Sequence, residues 1–302
     1  MSARLLEPPA ARQGPGPVAQ PLVEAIDLSL SRLVVRTLPG ERRAVGVGAG
    51  TELAQLRPYQ IGDDVRHIDP AATARTGQAH VRLHVPERSV TTWLVLDLSP
   101  SMAFGTAQRL KADVAEGVAL VFGRLGVRRA GSVGLVGFGA AAPRVLPPRG
   151  SRPGMVALRR VLAEGVAPDG RHDTDGLANA LRRAGRLARQ PGLVVLISDF
   201  RDQHHWERPL GSLRMRHSVI AVEIVDPREQ ELPSVGHLAL VDPESGERIE
   251  IDTSSERVRR RFAELERERR AAVARELRRL RVDHVSLSTA EDWLLALGRQ
   301  VR

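Results

Sequence analysis

From Thr91 onward, apolar runs of strand length alternate with segments whose apolar residues recur at helical spacing, and few folds accommodate that alternation. Strands are expected at Thr92–Asp97, Ser132–Phe138, a short Arg144–Leu146, Leu193–Asp199, Ser218–Val225 and His284–Ser288. Between them, Leu110, Val114, Val118, Val121 and Leu125 mark one helix, and Leu177, Leu181 and Leu187 another. Val161 and Leu162 close a further helix that begins near Arg152. The expected fold is therefore α/β, a doubly wound and mostly parallel sheet with helices on both faces. Late in the chain, residues 236–252 read as a β-hairpin turning at Asp242-Pro243-Glu244-Ser245-Gly246. A long helix over Ser255–Arg281 and a final one over Ala290–Val301 follow. Upstream, Ile26 to Val90 is dense in Gly, Arg and Asp, with an alternating stretch at Ala79–Val85 that suggests a small β-rich N-terminal module. Residues 1–21 are rich in Pro and Ala and read as a disordered leader. The expected division is thus a leader over 1–21, a module over 22–90, and the α/β domain over 91–302 with the hairpin inserted at about 236–252.

Three segments place oxygen-bearing side chains where such a sheet presents its ligands. The run Trp93–Leu96 leads into Asp97-Leu98-Ser99-Pro100-Ser101, a D-x-S-x-S pattern. Asp173-Thr174-Asp175 opens a helix, and Leu193–Ile197 runs into Ser198-Asp199. Ligands of doubly wound sheets bind beyond the carboxyl ends of strands, where strand order reverses. Asp97 and Asp199 end strands that are neighbours across that point in the common order. Asp97, Ser99 and Ser101 alternate, so a partly extended loop can aim all three into one crevice. Two carboxylates with the hydroxyls of Ser99, Ser101 and Thr174 make an all-oxygen set suited to Mg²⁺ or Mn²⁺ rather than zinc. Each piece also has an ordinary alternative: Asp173 to Asp175 and the two serines suit helix caps, and Asp199 suits a turn.

Several function classes find no support. The chain has no cysteine, which excludes disulfides, thiolate zinc sites and cysteine nucleophiles. No apolar run approaches bilayer length and the start lacks the layout of a signal peptide, so a cytoplasmic protein with no membrane partner is expected. There is no G-x-S-x-G elbow and no P-loop. A D-x-D-x-T phosphatase needs a second carboxylate where this chain has Ser99. The net charge of +9 invites a nucleic-acid reading, but Lys111 is the only lysine and aromatic residues are just 3%, leaving little for base stacking. Arg257 to Arg281 interleaves Glu264, Glu266, Glu268 and Glu276, with Glu256 just before it, and reads as a salt-bridged solvent face.

The D-x-S-x-S loop with Thr174 and Asp199 resembles the metal-ion-dependent adhesion site of a von Willebrand factor A domain. Further upstream, Leu56-Arg57-Pro58-Tyr59-Gln60-Ile61-Gly62-Asp63-Asp64-Val65-Arg66-His67-Ile68-Asp69, then Thr73-Ala74-Arg75 and Glu87-Arg88, is similar to the DUF58 family. Ser198-Asp199-Phe200, Asp226-Pro227-Arg228-Glu229 and Asp283-His284-Val285 extend the likeness to nearly everything after about residue 25. The resemblance implies that Asp97, Ser99, Ser101, Thr174 and Asp199 are the five metal-coordinating positions. It also implies work beside a MoxR-type AAA+ ATPase, in chaperone-like remodelling or metal-cofactor insertion. One departure is Pro70, which stands where the family usually has Trp.

The residues and the resemblance together suggest a non-catalytic, metal-dependent interaction adaptor whose ion is completed by an acidic residue of its partner. A Mg²⁺-dependent hydrolase at the same crevice is the alternative, and arginine-mediated nucleic-acid binding a third. Arg57, Asp63, Asp64, Arg66, Asp69 and Arg75 form a separate charged group, expected to be a hydrogen-bonded network pinning the N-terminal module.

Overall fold

The computed structural model describes residues 13–19, 21–27, 52–85, 90–128, 131–140, 142, 144–167, 176–202 and 205–301. They fall into two compact units, one spanning Pro39–Ser89 and the other the rest of the chain.

In the larger unit, residues 21–27 form a helix, α1. In the smaller one, strand β1 (Glu52–Pro58) pairs antiparallel with β2 (His80–Val85), and helix α2 (Pro70–Thr76) lies between them in sequence. The large unit then continues through β3 (Thr91–Asp97), α3 (Lys111–Val127), β4 (Ser132–Phe138), β5 (Arg144–Gly150), α4 (Ser151–Ala163), α5 (Gly176–Leu187) and β6 (Leu193–Ser198). It closes with α6 (Glu207–Arg214), β7 (Ser218–Val225), α7 (Pro227–Gln230), β8 (His237–Val241), β9 (Arg248–Asp252), α8 (Glu256–Arg279), β10 (Asp283–Ser288) and α9 (Trp293–Gln300).

Six strands make one sheet in the order β10-β7-β6-β3-β4-β5. All its neighbours are parallel except the β4–β5 pair. Alternation along β3 shows why helices cover both faces. Leu94 and Leu96 pack with Val118 and Phe122 of α3, Leu158 of α4 and Trp293 of α9. Trp93 and Val95, pointing the other way, pack with Leu177 and Leu181 of α5, Leu210 of α6 and Leu277 of α8. The parallel α/β architecture expected from the sequence is therefore present, with β5 longer than the short segment expected. Helix α6 was not anticipated, because Leu210 and Leu213 alone define its buried face.

The expected leader and module boundaries move. Gln13 and Gly14 donate backbone N–H groups to Asp113 at 3.3 and 2.9 Å, and Trp293 Nε1 donates to Pro15 O at 2.9 Å. Val23 and Ile26 of α1 are buried in the same core as α3 and α9. Residues 13–27 thus belong to the large unit, and the small unit begins well after residue 22.

Within the small unit, the charged group resolves into three local pairs rather than one shared network. Asp63 meets Arg57 at 2.7 Å and accepts from Gln60 N. Asp64 meets Arg66 at 2.7 Å, at the start of a 3-10 turn over Val65–His67. Asp69 accepts Ala72 N on one carboxylate oxygen and Arg82 Nε on the other, each at 2.7 Å. Arg82, absent from the expected group, is the partner of Asp69, whereas Arg75, expected in the group, is exposed. Pro70 sits at the first turn of α2 behind this Asp69 cap, where its missing N–H is no loss. Arg66 is 82% exposed, so its ion pair is weak. Arg66→Ala is therefore expected to leave the thermal midpoint near wild type. Asp69→Ala, which removes a buried cap and strands Arg82, is expected to lower it measurably. Equal melting of the two variants would contradict this assignment.

The glutamates of α8 pair with its own arginines, as at Arg260–Glu256, Arg269–Glu266 and Arg279–Glu276. Among the described residues, no helix is long and apolar enough to cross a membrane.

Candidate metal centre

Strand β3 lies between β4 and β6, so the chain leaves it in opposite directions, and the crevice at its carboxyl end is the switch point of the sheet. The parallel register sets Leu96 opposite Ile197. One residue further on, Ser198 Oγ donates to Asp97 Oδ2 at 2.6 Å. The other oxygen, Oδ1, accepts Ser99 N at 3.0 Å, which turns the chain into the 3-10 segment Pro100–Ala103. That turn brings Ser99 Oγ and Ser101 Oγ to 3.0 Å from each other. Asp97, Ser99, Ser101 and Asp199 are 4, 8, 4 and 2% exposed, so none is a solvated surface group. Thr174, with Asp173 and Asp175, lies outside the described residues.

Two backbone features hold this arrangement. Gly139, just past β4, has φ +78° and packs so tightly on Ser99 that an added Cβ would sit 2.6 to 2.8 Å from its Cβ, N and Cα atoms. Both the left-handed φ and the missing side chain are used here. Gly139→Ala is expected to push the serine loop outward and weaken divalent-ion binding roughly tenfold. Titration with Mn²⁺ checks this, and unchanged affinity would mean that Ser99 contributes no ligand. On the β6 side, Phe200 also takes positive φ, +53°, a costly conformation for a bulky residue. Its N–H donates to Ser198 Oγ, and its ring meets Trp206 edge-on at 5.5 Å. This kink aims Asp199 into the crevice while Arg201 N donates to Asp199 Oδ1.

The residue that sequence reasoning missed is Lys111. It is fully buried, and its Nζ donates to Asp199 Oδ2 at 2.7 Å and to Glu229 Oε1 at 2.6 Å. The Asp226-Pro227-Arg228-Glu229 segment positions that glutamate. Asp226 caps α7 and is fixed by Thr106 and Thr289, while its own N–H donates to Glu229 Oε2. Arg201 bridges outward from Glu229 to Glu266 of α8. The available signal was that the chain's one lysine, among 45 basic residues, opens the helix following the D-x-S-x-S loop. A second missed residue is Glu244, at the hairpin tip, whose Oε1 accepts Ser101 N at 3.2 Å.

Burial pushes Asp97 up to about 7 and the nearby Asp199 charge adds to it, against hydrogen bonds from Ser198 and Ser99. Burial also acts to raise Asp199, but Lys111 and Arg201 outweigh it and hold the carboxylate ionised. Burial works against the Lys111 ammonium, yet Asp199 and Glu229 keep it charged. Burial raises Glu244. Lys111 thus neutralises Asp199, while among the described residues Asp97 has no positive partner.

A carboxylate raised on folding favours the native state fully below its unfolded value near 4, and that contribution fades as pH rises through about 7. In EDTA, the thermal midpoint should therefore decline between about pH 4 and 7, and Mg²⁺ should flatten the decline. Melting curves of wild type and Asp97→Asn check this, since the asparagine variant should lose that slope.

The donor chemistry fits a hard cation. Each Asp97 oxygen accepts one hydrogen bond and retains a further lone pair, and the paired serine hydroxyls face the same crevice. Among the described residues, no three His, Cys, Asp or Glu side chains are grouped as for a metal. A cation here would rely on hydroxyl oxygens beside the two aspartates, as Mg²⁺ and Mn²⁺ accept and softer ions do not.

Uncharacterized proteins of Mycobacterium tuberculosis and Mycobacterium bovis are each 37% identical to this chain over 305 positions, covering 98% of it and 94% of their own length. Among solved structures, BatB from Bacteroides thetaiotaomicron matches 70% of this chain and 97% of its own, with TM-score 0.43 and 14% identity. The SpRpn10 VWA domain matches 45% of this chain and 75% of its own, with TM-score 0.33 and 14% identity. At these TM-scores the likeness adds nothing to the strand order already described. The model of the family described as "protein of unknown function DUF58" matches residues 55–272, and the chain belongs to that family.

Proposed function

We propose that this chain is a non-catalytic adaptor that holds Mg²⁺ or Mn²⁺ at Asp97, Ser99, Ser101, Thr174 and Asp199 and uses it to dock an acidic side chain of a protein partner. The observation that carries the reading is the meeting, at the switch point, of two buried aspartates from adjacent parallel strands with a pair of hydroxyls 3.0 Å apart. The set resembles that of a von Willebrand A-type adhesion site. The bound ion would supply a positive charge with a coordination place left for an outside carboxylate.

The residues themselves orient and neutralise rather than transfer protons. Ser99 and Ser101 are turned inward by the Asp97 carboxylate and the 3-10 turn. Lys111 is held protonated between Asp199 and Glu229, which leaves it no lone pair to act as a base. This removes Lys111 as the base that a hydrolase at this crevice would need. The partner proposed is a MoxR-type AAA+ ATPase, in remodelling or cofactor insertion in the cytoplasm.

The test is a pull-down between the purified chain and the MoxR-type ATPase encoded nearest to it. Binding should require Mg²⁺, be released by EDTA, and be lost in Ser101→Ala, whose fold is retained. Binding indifferent to both would place docking elsewhere on the chain.

A further inference from the structure

The hairpin of β8 and β9 carries Glu244 to a position 143 residues away in sequence, against Ser101 N at 3.2 Å. Its carboxylate is also in reach of the Ser99 and Ser101 hydroxyls and of the Asp199 charge. A glutamate aimed at a crevice already holding two aspartates is electrostatically unfavourable unless a positive charge is to be shared there.

The hairpin is built to present this side chain. Its base is clamped by Thr253, whose N–H and Oγ1 both donate to Gly236 O at 2.8 and 2.7 Å. Leu238 and Ala239 at consecutive positions of β8 are both buried, so this strand is packed within the large unit. At the tip, Asp242 accepts Glu244 N at 2.9 Å and Ser245 Oγ at 2.8 Å, and Gly246 closes the turn with φ +75°. The Glu244 carboxylate takes no part in these turn contacts. Its one described hydrogen bond to the backbone is the one to Ser101, across the mouth of the crevice.

We propose that Glu244 is the resident carboxylate of this site, occupying the place that an acidic side chain of a partner would otherwise take. The inference rests on the metal-dependent reading above and deepens it. The hairpin tip must withdraw for an outside acid to enter, so the chain carries its own competitor, and partner binding is set against that internal contact. The effective concentration of a tethered group is in the millimolar range or above, so a weak free acid does not displace it.

The experiment uses the full chain, Mn²⁺ as the metal and acetate as the acid probe, with water-proton relaxation reporting the waters on the bound ion. Wild type, Glu244→Ala, Glu247→Ala and Asp97→Ala are compared. Glu247 lies on the same hairpin but is exposed, so it controls for the turn. In Glu244→Ala, relaxivity of the bound Mn²⁺ should rise, and acetate should suppress it at roughly tenfold lower concentration than in wild type. Glu247→Ala should match wild type. Equal acetate responses in wild type and Glu244→Ala, with Mn²⁺ bound in both, would overturn the resident-carboxylate proposal alone. Mn²⁺ binding no tighter in wild type than in Asp97→Ala would instead overturn the metal reading, and this inference with it.

Discussion

Lys111→Met is expected to lower the thermal midpoint by on the order of 10 °C, with Mg²⁺ restoring part of the loss. The substitution keeps an unbranched side chain one heavy atom shorter and removes the ammonium, with its charge and its N–H donors. It leaves Asp199 and Glu229 facing each other without the ammonium that now joins them at 2.7 and 2.6 Å. Breaking a buried pair by deleting one partner typically costs about 3 to 5 kcal/mol. For a domain of this size each kcal/mol moves the midpoint by roughly 2 to 4 °C. Because a divalent ion can take over the lost positive charge, the variant should also bind Mn²⁺ more tightly than wild type. Lys111→Arg should not rescue the fold fully, since the planar guanidinium needs more room than a single buried ammonium. Melting with and without Mg²⁺ checks both expectations, and a Lys111→Met protein that melts like wild type in EDTA would contradict the buried-pair account.

Asp97→Asn is expected to reduce Mn²⁺ affinity by at least about 100-fold while leaving the fold intact, an effect larger than that of any surrounding hydrogen-bond partner. Asparagine keeps the shape of Asp97 and can still accept from Ser99 N or Ser198 Oγ. What it removes is the charge that burial and Asp199 both oppose. In EDTA the variant should therefore melt at or above wild type at pH 8, where the native carboxylate is ionised and most unfavourable. Loss of metal binding together with gain of apo stability separates a functional charge from a structural one. Lower apo stability with unchanged Mn²⁺ affinity would assign Asp97 to the fold instead.

Much of this arrangement is legible in the chain because period-two and helical spacing report burial directly. Ser132–Phe138 and Ser218–Val225 are strands with the bounds that their apolar runs suggest, and β3 and β6 are neighbours as the switch-point argument requires. The hairpin turn is likewise written in Asp242-Pro243-Glu244-Ser245-Gly246. What periodicity does not carry is long-range polar contact. Nothing local in the sequence says that Glu244 reaches Ser101, or that Lys111 reaches Asp199 and Glu229, 88 and 118 residues away. The charged group of the small unit shows the same limit. Closeness in sequence put Arg75 in the group with Asp69, whereas pairing of β2 beside Asp69 brings Arg82 to that carboxylate. Residues 1–21 read as a leader because Pro and Ala are frequent there, yet Gln13, Gly14 and Pro15 hydrogen-bond to the large unit and Val23 and Ile26 of the short helix that follows are buried in its core.

The central claim is that a divalent ion sits between Asp97, Ser99, Ser101 and Asp199. Anomalous scattering from crystals grown with Mn²⁺ tests it most directly, because the signal locates the ion without reference to any assumed ligand. The account predicts one strong peak at the carboxyl ends of β3 and β6, at about 2.0 to 2.3 Å from Asp97 and the serine hydroxyls, absent in Asp97→Asn crystals. A peak at a different place on the chain, or none at this crevice at saturating Mn²⁺, would contradict it.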